Sequence, residues 1–162
     1  MSDDWDVEIL TTCARDARTW ADSYEAGAGD IDGVPARRFS VPEPRDGKAF
    51  DRLSRRVIAG GSTGTEQETW MRAQGPYSPQ LFDHLAREGR AYDVVFFYST
   101  YATTYFGLPA VADRAVLVPL AHDEWTLALP LLENTFAAAR AIAFVSEEER
   151  ALVARRFPGA EL

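Results

Sequence analysis

The stretch that decides the fold is YDVVFFYSTYATTYFGLPAVADRAVLVPLAHDE, which runs from Tyr92 to Glu124. It contains two short, almost wholly apolar runs, Val94–Tyr98 and Ala115–Leu120, each followed by polar or aromatic residues and then by helix-like sequence. Uninterrupted β-branched and aromatic runs are typical of strands buried on both faces, as in parallel sheets. Ligands of such sheets bind where the strands end. We therefore expect the functional residues near His122, which follows the second run.

The second half of the chain alternates between strand and helix patterns. Strands are predicted at Asp93–Tyr98, Ala115–Leu120 and Ala141–Val145, and a helical pattern follows each of them. One of these helices is predicted from about Glu124 to Ala138. This alternation favours parallel strands joined by crossover helices.

The first half has weaker patterns. Asp6–Thr12 and Val34–Val41 are predicted to be strands, and Pro35 indicates an edge position for the second. Cys13–Gly29 is predicted to be a polar connection with a short helix. Together the two halves predict one α/β domain over residues 1–162, with a Rossmann-like, mostly parallel sheet flanked by helices.

Composition excludes several classes of partner. The 162 residues carry a net charge of −8, which disfavours nucleic acid and anionic lipid as large-area partners. A single cysteine, Cys13, excludes an internal disulfide and fits a reducing compartment. No signal peptide or membrane-spanning run is evident. We predict a cytoplasmic protein, with a peripheral contact at the inner membrane left open.

Three polar residues follow the predicted strand that ends at Leu120. His122 could hydrogen-bond a sugar hydroxyl or polarise a phosphate, or it could tie a loop to the backbone. Asp123 and Glu124 could act as an acid/base pair, but such residues more often interact with the dipole of a helix start. With one cysteine and two histidines, the sequence offers no convincing ligand set, so neither a metal nor another cofactor is predicted.

Aromatic residues cluster at the same predicted strand ends, namely Tyr98, Tyr101, Tyr105 and Trp125. Their rings would suit the flat faces of sugars, although each could equally be an ordinary core or rim aromatic. The segment QGPY at 74–77 could place a side-chain amide on a ligand or could simply be a turn before a helix.

Several segments in one order resemble a known family. DVEILTTCARD, TWADSY, AQGPYSP, YDVVFFYSTYATTYFGLP, AVLVPLAHDE and FVSEEERALVARRF, spanning roughly Val7 to Phe157, resemble the N-terminal domain of bacterial family-four glycosyltransferases. The resemblance implies one half of a GT-B fold, in which two Rossmann-like domains face a cleft. Such enzymes move a sugar from a nucleotide diphosphate sugar to an acceptor, usually with retention and without an essential metal.

The resemblance also implies roles for particular residues. His122, in AHDE, matches a histidine that lies at a strand end near the transferred sugar, so it is the expected catalytic residue. The expected substrate-binding residues match segments that line the family's cleft or flank that histidine, and they are Thr12, Gln74, Gly75, Tyr98, Asp123 and Glu124. The sugar or glycan acceptor is the expected partner of this domain, whereas the nucleotide sugar is bound mainly by the second domain.

The sequence departs from the family pattern at both ends. The family has a strand, a glycine-rich loop and a helix before the segment that matches Asp6–Thr12, and a donor-binding domain after the one that matches this chain. Without the first strand, we expect a gap or altered pairing beside Asp6–Thr12, and self-association through an unpaired edge. Without the second domain, we expect the isolated chain to be inactive. The alternatives are a non-catalytic ligand-binding or interaction module that keeps the fold, and a flavodoxin-like ligand binder.

Overall fold

The computed structural model describes residues 5–158 and shows an α/β structure in which six helices accompany two small, mostly parallel sheets. The strands are β1 Ile9–Thr12, β2 Gly27–Ile31, β3 Val34–Phe39, β4 Val95–Tyr98, β5 Ala115–Val118 and β6 Ala141–Ile142. The α-helices are α1 Gly47–Ile58, α2 Gly64–Gln74, α3 Pro79–Glu88, α4 Ala102–Gly107, α5 Leu131–Ala138 and α6 Glu147–Arg156. Short 3₁₀ segments occupy Gly89–Ala91, Leu108–Arg114 and Trp125–Ala128.

The first sheet has the order β1-β3-β2, and it contains a strand that the sequence did not predict. β2 begins inside the segment Cys13–Gly29, which was expected to be a connection, and forms an antiparallel hairpin with β3. Asp32 and Gly33 make the hairpin turn with φ values of 50° and 80°, the left-handed geometry that two-residue hairpin turns require. β2 is hard to predict because its sequence, GAGDI, lacks the usual β-branched and aromatic residues.

The prediction that β3 is an edge strand is wrong, because β3 lies between β1 and β2. The parallel ladder with β1 starts at Ala36, which pairs with Ile9. Pro35 therefore precedes that ladder, and its missing N–H removes no bond to β1.

The second sheet has the order β4-β5-β6, and the prediction of parallel strands in this half is confirmed. Phe97 of β4 pairs with Leu117 of β5, and both side chains are buried on the same face. Phe96 and Tyr98 alternate onto the opposite face, where they are 54% and 67% exposed. The expectation that β4 is buried on both faces is therefore wrong, since helices cover only one face of this strand.

A proline divides the helix that was predicted from Glu124 to Ala138. Trp125–Ala128 forms a 3₁₀ turn, and α5 starts only at Leu131. Leu129, the residue before Pro130, is extended with ψ of 123°, because the proline ring disfavours a helical residue in front of it.

One apolar core joins the two sheets. It includes Phe39 of β3, Phe97 of β4 and Leu117 of β5, together with Trp70 of α2 and Leu85 of α3. These side chains are nearly inaccessible to solvent, so the two sheets share one interior rather than forming two separate cores.

The two sheets point in the same direction. Glu8, just before β1, accepts a hydrogen bond from the hydroxyl of Tyr92, which lies just before β4. His84 of α3 lies 3.3 Å from the same hydroxyl through its Nε2 atom. The amino ends of β1 and β4 therefore meet at one pole of the molecule, and the carboxyl ends of the parallel strands face the other pole.

The strands do not form the single sheet that the sequence predicted. β1 pairs only with β3, and β4 pairs only with β5, among the strands of residues 5–158. Among these strands, β1 is the parallel edge strand of the first sheet, and β4 and β6 are the two edge strands of the second. Across the described residues, no helix is both long enough and apolar enough to cross a membrane.

Candidate functional site

The connections that leave the carboxyl ends of the strands contain unusual backbone. Within residues 5–158, four non-glycine residues have a positive φ, and one of them, Asp32, belongs to the hairpin turn. The other three follow strand ends: Trp20 after β1 (φ 53°), Ser99 after β4 (φ 68°) and Leu120 after β5 (φ 51°). Left-handed backbone is costly for residues with a side chain and often marks a functional site. The strained residues therefore lie at the carboxyl ends of the strands, where the sequence predicted the functional site.

The structure places the predicted His122, Asp123 and Glu124 together in the connection after β5, and all three are exposed. Glu124 accepts a hydrogen bond of 2.9 Å from the hydroxyl of Tyr101, which begins the segment leading into α4. Burial raises the pKa of Tyr101, so this phenol stays a hydrogen-bond donor at neutral pH. The bond ties the connection after β5 to the one after β4.

Neither Asp123 nor Glu124 caps the helical turn that follows them. The capping position of the following 3₁₀ turn falls on Glu124, and no side-chain cap bond forms there. A turn of four residues has few free N–H groups to offer, so Asp123 and Glu124 keep their carboxylates for other partners.

A buried carboxylate holds the backbone of this region. Glu149 of α6, only 5% exposed, accepts one hydrogen bond from the N–H of Ala121 (2.6 Å) and another from the N–H of Val145 (2.8 Å). Ala121 is the neighbour of His122, and Val145 follows β6. Ser146 and Glu149 have the spacing of a capping box, but only the Ser146 half forms, because the Glu149 carboxylate bonds these two connections instead.

The remaining predicted site residues lie in different surroundings. Tyr98 ends β4 with an exposed ring, and Thr12 ends β1 with only 7% of its surface accessible. Gln74 is occupied within the protein: its backbone carbonyl accepts from Nε1 of Trp20 (2.6 Å) and from Arg45, and its side-chain oxygen lies 3.3 Å from the same guanidinium.

Gly75 has no room for a side chain. Its φ is +61°, and a Cβ atom there would lie 2.6 Å from Cδ1 of Trp20. The indole of Trp20 thus rests directly on the Gly75 backbone, which only glycine permits.

Beside this contact lies a cleft of about 370 Å³ that sequence reasoning missed. It is enclosed by the connection after β1, the segment after β3 and the facing sides of α1 and α2, and Gly75 is the one predicted site residue in its wall. Its main side chains are Trp20, Arg45, Phe50, Arg72 and Tyr77. A lone tryptophan in a polar connection was the available signal, but only the fold brings these five residues together.

Within residues 5–158, no group of three or more His, Cys, Asp or Glu side chains is arranged to hold a metal ion. Neither protein-family models, nor curated proteins, nor solved structures give a significant match to this chain.

Proposed function

We propose that the chain is the acceptor-side, Rossmann-like half of a GT-B glycosyltransferase resembling family four, an enzyme that moves a sugar from a nucleotide diphosphate sugar to an acceptor with retention and without a metal. The observation that carries this proposal is the exposed His122 on the Glu149-bound connection at the carboxyl end of β5. An imidazole held on a fixed backbone at such a strand end can meet a ligand without first being ordered.

The surrounding side chains suit a carbohydrate. The exposed ring of Tyr98 offers an apolar face to a sugar, and the carboxylates of Asp123 and Glu124 can accept hydrogen bonds from sugar hydroxyls. The imidazole of His122 would orient a hydroxyl or stabilise positive charge that develops at the transferred sugar.

The charge of this region favours the acceptor over the donor. Asp123 and Glu124 would repel a diphosphate, which needs cations or free N–H groups. In the proposed enzyme, the second domain of the GT-B fold therefore binds most of the nucleotide sugar, and this half contributes His122 and the acceptor surface.

The two histidines of the chain allow a direct test of binding. We would titrate the ¹³C,¹⁵N-labelled protein with a panel of mono- and oligosaccharides and with nucleotide diphosphate sugars, while following both imidazoles by NMR. We expect saccharide-dependent shifts at His122 and none at His84, which lies at the opposite pole. His122→Ala should abolish or weaken saccharide binding, whereas the exposed Glu88→Ala at the other pole should not. Saccharide binding that is unchanged in His122→Ala would refute the role given to this residue.

A second candidate function, an interaction module, is favoured by the exposed face of β4. Phe96 and Tyr98 are 54% and 67% exposed, and β4 has a free edge among the described strands. A second copy of the chain could pack on this face and remove both rings from water. We expect concentration-dependent dimers in light scattering, weakened by Phe96→Glu but not by Ala110→Glu, which adds the same charge at another exposed position. A strictly monomeric protein at all concentrations would exclude this function.

A further inference from the structure

The cleft of about 370 Å³ lies apart from His122 and has the size and lining of a small-molecule site. Apolar and aromatic side chains form most of its surface, among them Phe50, Leu53, Trp20 and Tyr77. Ligand sites typically have such walls and only a few polar groups that orient the ligand.

One wall of the cleft is fixed by several independent contacts. Trp20 keeps a left-handed backbone (φ 53°), donates its Nε1–H to the carbonyl of Gln74 and rests on Gly75. The guanidinium of Arg45 lies 5.3 Å from the centre of its ring. A strained tryptophan that is held from three sides keeps its indole at the cleft in the absence of a ligand, which lowers the entropic cost of binding.

Arg45 belongs to the wall rather than to the ligand-binding groups. Its guanidinium donates to the carbonyls of Ala17, Ala73 and Gln74, and its carbon atom lies 4.3 Å from the centre of the Phe50 ring. Nearly all of its N–H groups are thus in use.

Arg72 is the cation that remains available. Its guanidinium lies over Tyr77 at 4.2 Å, is half exposed, and has an ion pair of 3.5 Å with the exposed carboxylate of Glu43. Exposed pairs of this length contribute little, so an anionic ligand can replace Glu43 at small cost. The other carboxylate of the cleft, Asp46, is already engaged as the cap of α1, where it accepts from Lys48 and Ala49.

Arg72 also stands where two clefts meet. A second cleft of about 200 Å³ shares Thr69, Arg72 and Tyr77 with the first and extends towards Phe106 of α4. A ligand in the larger cleft would therefore have its charged end at Arg72, with the smaller cleft open to a further substituent.

We propose that this cleft binds an amphiphilic anion, in which an apolar or aromatic ring lies between Trp20 and Tyr77 and a carboxylate or phosphate group binds Arg72 in place of Glu43. The apolar walls favour the ring, and the single available cation favours one negative group. The site does not depend on the transferase proposal.

The test uses phenyl phosphate as the probe, with benzyl alcohol and inorganic phosphate as its apolar and anionic halves. Binding is followed by NMR at the indole N–H of Trp20 and at the Nε–H of Arg72. We expect phenyl phosphate to shift both signals and to bind about five- to tenfold more tightly than either half alone.

Two variants locate the ligand. Arg72→Gln should weaken phenyl phosphate about five- to tenfold and leave benzyl alcohol unchanged, because only the charged group contacts the guanidinium. Thr69→Trp, at an exposed position of α2 between the two clefts, should block both ligands by filling the space. The matched control Arg87→Gln, on the exposed side of α3, should change neither, and circular dichroism confirms that each variant is folded.

The inference is overturned if phenyl phosphate leaves the Trp20 indole unmoved, if it binds no better than inorganic phosphate, or if Arg72→Gln binds it like the wild type. These outcomes are separate from the saccharide titration at His122. Shifts at Trp20 without saccharide binding would support the anion site in the cleft and contradict the transferase proposal. Saccharide binding at His122 without shifts at Trp20 would support the transferase proposal and contradict the anion site.

Discussion

The carboxyl ends of the two sheets are held by side chains of opposite charge. At the first sheet, the guanidinium of Arg45 donates to the carbonyls of the connection after β1 and of the end of α2. At the second sheet, the carboxylate of Glu149 accepts from the N–H groups of Ala121 and Val145. Both side chains come from outside the strands whose connections they hold.

Glu149 and Arg45 differ in their burial and in how far water can reach the backbone groups that they bind. Glu149 is almost fully buried, so its carboxylate is shielded from water. Arg45 is half buried beside an open cleft, where water can reach some of the carbonyls. Unsatisfied N–H groups are also rarer in proteins than under-satisfied carbonyls. We therefore expect the loss of Glu149 to lower the stability of the protein more than the loss of Arg45.

The largest effect is expected from Glu149→Ala. It leaves two backbone N–H groups without their acceptor, which should lower the free energy of unfolding by about 3 kcal/mol. Urea denaturation measures the loss. Glu147→Gln on the same helix should change stability by less than about 0.5 kcal/mol, because that carboxylate is exposed in its pair with Arg150. A small loss in Glu149→Ala would show that the connection before His122 is held by other contacts.

A smaller loss is expected from Arg45→Met, which keeps the apolar stem and removes the donors. We expect about 1–2 kcal/mol, since water can take over part of the bonding. The same denaturation experiment measures it, with the exposed Arg52→Met on α1 as the control. If Arg45→Met lowers the free energy of unfolding by more than Glu149→Ala does, then the proposed order of these two effects is wrong.

The smallest effect concerns the opposite pole, where His84 lies between Phe39 and Tyr92. Burial lowers the pKa of His84 below its ordinary value of 6.5, Arg37 and Arg87 lower it further, and Glu8 and Glu88 oppose them. The unfolded chain therefore binds a proton that the folded chain resists, so stability should fall as the pH drops through 6.5. His84→Gln should flatten the profile of unfolding free energy between pH 7.5 and 5.5. An identical profile in both proteins would show that protonation of His84 does not contribute.

The sequence predicted the second sheet better than the first. Apolar runs and crossover lengths were enough to place β4, β5 and the parallel pairing, because those signals are local and strong. β2 was missed because GAGDI is stabilised as a strand by pairing with β3, not by its own residues. The division into two sheets could not be predicted from local patterns, since it depends on which strands pair with each other across the fold.

The site was predictable in one part only. His122, Asp123 and Glu124 are neighbours in the chain and follow a clear strand, so their common location follows directly from the sequence. The side-chain oxygen of Gln74 accepts from Arg45, 29 positions earlier, which the sequence did not indicate. The carboxylate of Glu149 reaches Ala121, 28 positions away, a contact that no local pattern indicates.

The sequence alone determined the α/β class, the parallel strands of the second half and the polar residues that follow β5, because each is encoded by residues adjacent in the chain. Tertiary structure decided which side chains support those residues, where the cleft with Trp20 and Arg72 lies, and which face of β4 stays uncovered. The physical reason is that these features arise from contacts between segments far apart in sequence, and the charge, burial and strain of such contacts exist only once the chain has packed.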